Sequence, residues 1–116
     1  MEESKAIVVV QDPVLASSLE LALLAAGVTP VLCDANQEVD SLPLSDATIL
    51  IVGPKALAAG ATDFVDTVRT CGWVGLIILI TGDCRKLRGV FKGAYRVAVL
   101  EMPFVAADLI AAIKRE

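Results

Sequence analysis

The chain alternates between short, wholly apolar runs and longer stretches in which apolar residues recur every three to four positions. Ala6 to Val10 is a β-branched run of strand length. Val28 to Cys33, Ala47 to Val52, Leu76 to Ile80 and Val97 to Leu100 repeat the theme. Strands that are apolar at nearly every position fit a parallel sheet covered on both faces. Between the first two runs, Asp12 and Pro13 form a helix start, with an acceptor side chain at the N-cap and proline in the first turn. Leu15, Leu19, Ala22, Leu23 and Ala26 then make a buried helical stripe, and Gly27 ends it. The same helix is also apolar at Val14, Leu21 and Leu24. Those residues belong either to a wide core face or to a hydrophobic dimer patch.

The second connection, Asp34 to Asp46, is polar and contains Pro43, so it holds at most a short helix. Leu57, Ala61, Phe64, Val65 and Val68 form the next helical stripe, closed at Cys71-Gly72. Leu87, Val90, Phe91 and Ala94 mark a weaker helix, because Gly89 and Gly93 each cost about 1 kcal/mol relative to alanine. Ala106 to Lys114 is the last helix, with Leu109, Ile110 and Ile113 on one side. Trp73, in the turn before the fourth strand, reads as a packing anchor. The result is one α/β domain over residues 1–116, a (βα)5 doubly wound parallel five-stranded sheet with right-handed crossovers. In such sheets the functional loops follow the carboxyl ends of the strands. Here these are Val10-Gln11-Asp12, Val52-Gly53-Pro54, Thr81-Gly82-Asp83 and Glu101-Met102-Pro103.

Composition narrows the chemistry. With 56% hydrophobic and 21% charged residues in 116, the chain can offset its ordering entropy and is not disordered. Mean hydropathy is high at +0.72. Yet the longest apolar stretch, Trp73 to Ile80, is far short of the roughly 20 residues of a spanning helix. The acidic start Met1-Glu2-Glu3-Ser4-Lys5 is not a secretory signal, so a cytoplasmic protein with reduced thiols is expected. A net charge of −4 argues against direct nucleic-acid binding. Histidine is absent, which removes histidine-based acid–base and nucleophilic catalysis and most zinc sites. No G-x-G-x-x-G follows the first strand and no P-loop is present; Gly53-Pro54-Lys55 is too little to count. Cys33, Cys71 and Cys84 read first as small buried residues. Cys84, beside Arg85 and Lys86, is the best candidate for a thiol switch. No cofactor is expected.

Three segments, in this order and spacing, carry a family resemblance. Lys5-Ala6-Ile7-Val8-Val9-Val10-Gln11-Asp12-Pro13 looks like an opening strand with its acidic loop. Leu79-Ile80-Thr81-Gly82 looks like a fourth strand ending in Thr/Ser and a small residue. Val99-Leu100-Glu101-Met102-Pro103-Phe104 looks like a fifth strand that normally ends in Lys-Pro-Phe. From Lys5 to Glu116 the chain resembles the receiver domain of two-component response regulators. The resemblance implies the flavodoxin-like strand order 2-1-3-4-5 and a pocket at the strand ends. In that pocket two acidic residues hold Mg²⁺, an Asp takes the phosphoryl group, a Thr or Ser contacts it and a Lys neutralises it.

This sequence departs from that pattern. The acidic pair falls on Val10 and Gln11, and only the third acidic position, Asp12, survives. The phosphoacceptor falls on Ile51, and a shift of one or two residues gives Val52 or Gly53. The lysine falls on Met102, the switch aromatic on Val99, and only Thr81 is retained. A lone charge among Val10, Ile51 and Met102 would cost several kcal/mol, so loss of the acids and of the lysine agree with each other. Asp12, Asp46 and Asp83 are scattered carboxylates that do not make a metal site. The resemblance also implies a cis bond before Pro103.

The expected function is therefore that of a pseudo-receiver: a phosphorylation-independent signalling module, not an enzyme, acting by protein–protein contact. It fits the regulatory domain of a transcription regulator. The alternatives are a divergent phosphoacceptor with a relocated acidic site and a thiol-based redox switch. Receiver domains commonly dimerise or bind partners through their fourth helix, fifth strand and fifth helix. Here that face would comprise Arg85, Lys86, Arg88, Lys92 and Arg96 as a basic helical stripe, with Val99 and Glu101. The stripe could pair with Asp108, Glu101 or Glu116 of a second copy, steering and aligning it. No membrane contact is expected.

Overall fold

Each apolar run becomes a strand, and the alternation of its side chains divides the core in two. The computed structural model describes residues 5–33, 44–54, 60–82, 84–102 and 104–114. Strands β1 (Lys5–Val9), β2 (Thr29–Cys33), β3 (Ile49–Val52), β4 (Leu76–Thr81) and β5 (Val97–Glu101) form one parallel sheet in the order β2-β1-β3-β4-β5. The helices are α1 (Pro13–Ala25), α2 (Ala61–Thr70), α3 (Cys84–Val90) and α4 (Ala106–Lys114). This is the doubly wound order expected from the sequence. The described part of the second connection, Leu44–Asp46, is a single 3₁₀ turn. Residues 34–43 lie outside the described residues, as do Leu57, Asp83, Pro103 and Glu116 and the side chains of Asp46, Cys84 and Lys86.

Period-two alternation builds both core layers. Ala6, Val8, Ile49, Ile51, Leu76, Ile78 and Ile80 face one side, where Leu19, Ala22 and Leu23 of α1 and Leu109 of α4 cover them. Ile7, Val9, Leu50, Val52, Ile77 and Leu79 face the other, under Val65 and Val68 of α2 and Phe91 after α3. Burying each large aliphatic contributes about 1.5–3 kcal/mol. No polar side chain among the described residues is buried. Pro30 is tolerated because β2 is an edge strand and its missing N–H breaks no interior ladder.

Local chemistry fixes the helix ends. The Asp12 carboxylate accepts the Val14 N–H at 2.9 Å, so it is the N-cap of α1. At the other end Gly27 adopts φ 81°, Val28 N–H donates to Leu23 at 2.8 Å, and Gly27 N–H donates to Leu24 at 3.1 Å. This is a Schellman stop, and a residue with a Cβ would be strained there. Among the described residues no helix is long and apolar enough to cross a membrane.

The amino ends of β4 and β5 are locked by one side chain. The Arg69 guanidinium donates to the carbonyls of Trp73 (3.1 Å), Gly75 (2.9 Å), Tyr95 (2.7 Å) and Arg96 (3.2 Å). It also lies 5.8 Å from the Trp73 ring centre and 5.5 Å from that of Tyr95. Burial pulls its pKa down, as does neighbouring Arg96, while Tyr95 opposes the shift. Trp73 Nε1 donates to Ala47 at 3.0 Å, so the indole is the packing anchor expected.

Candidate functional site

The carboxyl ends of β1, β3 and β5 meet around a shallow cavity of about 420 Å³ lined by Val10, Gln11, Asp12, Leu15, Pro54 and Met102. The strand order reverses between β1 and β3, which is where doubly wound sheets bind ligands. Val10 and Met102 are half-buried, whereas Gln11 and Asp12 are exposed. The lining brings together the positions aligned with the acidic pair and the lysine, and makes them mostly apolar. The one carboxylate among the described lining residues, Asp12, is engaged in capping α1.

Ile51 and Val52, the aligned phosphoacceptor positions, do not open onto this cavity. Both are fully buried. Ile51 pairs with Val8 and Ile78 and points into the layer under α1 and α4; Val52 pairs with Val9 and Leu79 and points into the opposite layer. The first β3 residue past the strand is Gly53, whose N–H donates to the Val9 carbonyl at 2.9 Å. A Cβ there would come within 3.2 Å of Val10 Cγ2, so the loop is held close to β1 by the absence of a side chain. Thr81 ends β4 opposite Glu101, and its carbonyl accepts the Met102 N–H at 2.8 Å. Among the described residues no three His, Cys, Asp or Glu side chains converge as a metal-holding group. Asp46 sits in the turn before β3, at the amino end of the sheet, far from the cavity.

The basic residues do not form one continuous helical stripe. Helix α3 ends at Val90, and Lys92 and Arg96 lie beyond it. Gly93 at φ 79° and Arg96 at φ 49° take the chain out of helical geometry. Phe91 N–H still donates to Leu87, but Ala94 N–H turns back to Phe91 at 2.9 Å. The two glycines that weaken the helix end it early. Arg96 instead works at the amino end of the sheet: its carbonyl accepts from Ile77 at 2.9 Å and its guanidinium donates to Val74 at 3.3 Å. Of the stripe, Arg85 and Arg88 remain as exposed residues on α3.

What the structure supplies in its place is a groove of about 560 Å³ along the edge strand β5, lined by Arg88, Val97, Ala98, Val99, Leu100, Asp108, Ala111 and Ala112. Val97, Ala98 and Val99 are half-buried, and the groove's lining includes one cation, Arg88 of α3, and one carboxylate, Asp108 of α4, which accepts the Val105 N–H at 3.3 Å. Small Ala111 and Ala112 on α4 leave the strand uncovered, which is the signal in the sequence that would have marked this groove. Val99 lines this groove, while Glu101 lies exposed at the strand's end.

No protein-family model matches the sequence, and no curated protein does. Solved structures do match in shape. A response-regulator receiver domain protein from Clostridium thermocellum gives a TM-score of 0.79 over 97% of this chain and 92% of its own, at 13% identity. The chemotaxis response regulator CheY4 of Vibrio cholerae gives 0.79 over 97% of each chain at 16% identity. A streptococcal protein, described as a redox sensor evolved from two-component response regulators, gives 0.75 at 19% identity over 97% of this chain and 50% of its own. The chain has the fold of the CheY-like receiver domains.

Proposed function

We propose that this chain is a receiver-like signalling module that acts without phosphorylation, by contact with a protein partner. The observation that carries the reading is the state of the strand ends. The aligned phosphoacceptor positions are fully buried aliphatics, and among the described residues the only carboxylate lining the cavity caps a helix. A phosphoryl group needs an accessible nucleophile and cationic or metal-borne neutralisation, and Val10, Pro54 and Met102 supply neither. On this reading the chain is not an enzyme. Its partner docks along β5, where Arg88 and Asp108 set orientation and the half-open strand offers apolar area. In a cytoplasmic transcription regulator, the same groove would receive the output domain.

The test is a ¹⁵N–¹H correlation spectrum with and without Mg²⁺ and beryllofluoride, a phosphoryl mimic. Unchanged peaks at Gln11, Gly53, Thr81 and along α3 are expected. Shifts centred on those residues would mean that a working phosphoacceptor site exists there.

The streptococcal likeness favours one second reading, a thiol switch. Two features weigh against a disulfide between Cys33 and Cys71. Cys33 ends β2 at the carboxyl edge, while Cys71 caps α2 near the amino end of β4, so about 15 Å of strand separates their levels. Burial also pushes the Cys33 thiol pKa up, which suppresses its thiolate.

A further inference from the structure

The least expected surface is the outer face of α1. Val14, Leu21 and Leu24 are 73%, 69% and 57% exposed, so they are not the wide core face that the sequence also allowed. At 100° per residue, Val14, Ser17, Leu21 and Leu24 fall within an arc of about 80°, opposite the buried Leu19, Ala22 and Leu23. A surface helix normally turns charge to this side. In its thirteen residues α1 carries one charged side chain, Glu20.

We infer that this face is a self-association surface, on which α1 of one copy pairs in parallel with α1 of a second. Three features select a second copy as the occupant. Val14 and Leu21 are seven residues apart, as are Ser17 and Leu24, giving the 3.5-residue seam that packs against an identical seam across a two-fold axis. The parallel arrangement sets Glu20 beside Ser18 and Ala25 of the other copy, so no like charges meet, whereas an antiparallel one brings the two Glu20 side chains together. The helix has no lysine or arginine to attract an anionic lipid surface. Area sets the strength. A strip about 20 Å long and 10 Å wide is well under the roughly 800 Å² per partner of a stable interface. The dimer is therefore weak and reversible, in the class of small transient interfaces. This surface is separate from the β5 groove and does not rest on the phosphorylation-independent reading.

Sedimentation velocity of the whole chain from 5 to 500 μM tests it. The weight-average sedimentation coefficient should climb from the monomer towards the dimer value. Leu21→Glu should weaken association at least tenfold while keeping the wild-type melting temperature, because the site is exposed. Asp66→Lys, at an exposed position on α2, should associate like wild type. Should Leu21→Glu fail to fold, Leu24→Lys serves the same purpose. A wild-type chain that stays monomeric throughout, or a Leu21→Glu variant that associates as wild type does, overturns the inference.

Discussion

Replacing Ile51 with aspartate restores the residue type of a phosphoacceptor at the aligned position, and the structure dictates that the change should wreck the core instead. Ile51 has no exposed surface, sits between Val8 and Ile78, and shares its layer with Leu19, Leu23 and Leu109. Losing the isoleucine side chain costs about 2–5 kcal/mol in transfer and cavity terms. Burying a carboxyl without a hydrogen-bond partner costs about 1–3 kcal/mol more even when it is protonated. The sum, about 3–8 kcal/mol, is a large share of the roughly 5–15 kcal/mol that a domain of this size has in total. Urea denaturation read by circular dichroism should show Ile51→Asp unfolded at neutral pH or destabilised by at least about 3 kcal/mol. The deficit should depend on pH. Burial raises the folded-state pKa of the new carboxyl above its unfolded value of about 3.9. The protonated folded form is thus least penalised below about pH 4, and the deficit grows as pH rises above it. Gln11→Asp, on an exposed residue, is the control and should change stability by less than about 0.5 kcal/mol. An Ile51→Asp chain within 1 kcal/mol of wild type at pH 7 would refute the placement of residue 51 in the core. It would return the side chain to the mouth of the sheet.

Four further outcomes follow from the same geometry. Asp12→Ala should lose about 1 kcal/mol by urea titration and Asp12→Asn much less, since asparagine still caps α1. Arg69→Lys should cost about 2–4 kcal/mol, because an ammonium cannot span the carbonyls of Trp73, Gly75, Tyr95 and Arg96 or stack on both rings; its melting temperature checks this. Gly75→Ala should fail to accumulate as folded protein, as its Cβ would overlap Trp73 Cζ2 and lie 2.6 Å from the Thr48 carbonyl; a cooperative melt near wild type would contradict it. Cys33 should react with a disulfide reagent at pH 7.5 more slowly than free cysteine does, as followed by mass mapping. Because its folded pKa is raised, the stability it contributes should be intact below about pH 8.5 and fall above it.

Strand positions were legible in the sequence because each is a nearly uninterrupted aliphatic run, and a sheet buried on both faces needs no alternation to announce it. Ala6 to Val10 is offset from β1 by one residue at each end, and Leu76 to Ile80 stops one residue short of the end of β4. The cap residue Asp12 and the stop at Gly27 were legible for the same reason, since their chemistry is local. The stretch from Leu87 to Arg96 was not. Its apolar spacing is helical, and only the φ of Gly93 and the hydrogen bonds drawn from Arg96 toward β4 show that tertiary contacts won over the pattern. The role of Arg69 was equally hidden: in sequence it is one cation near a helix end, and its four acceptors come from two separate turns. Outward-facing Val14, Leu21 and Leu24 were visible as apolar, but their exposure depends on how α1 is rolled against β1, β2 and α4.

The two ends of the sheet are built on different principles. The amino end is cross-tied by Arg69 and Trp73, whose hydrogen bonds join the turns before β3, β4 and β5 into one unit. The carboxyl end is held by backbone bonds such as Gly53 to Val9 and Met102 to Thr81 and by apolar packing of Val10, Leu15 and Met102. A cluster of like carboxylates at that end would repel itself and hold energy that a cation or phosphoryl group could release. Among the described residues a single, capped carboxylate lines the cavity, and one charge makes no such repulsion to release. A ligand can shift an equilibrium only by its differential affinity for two states, and a mouth of this composition gives phosphate and Mg²⁺ little on which to differ. On the proposed reading, control passes to whatever binds the outer surfaces, and occupancy of the β5 groove or of α1 is the variable that the rest of a signalling pathway would set.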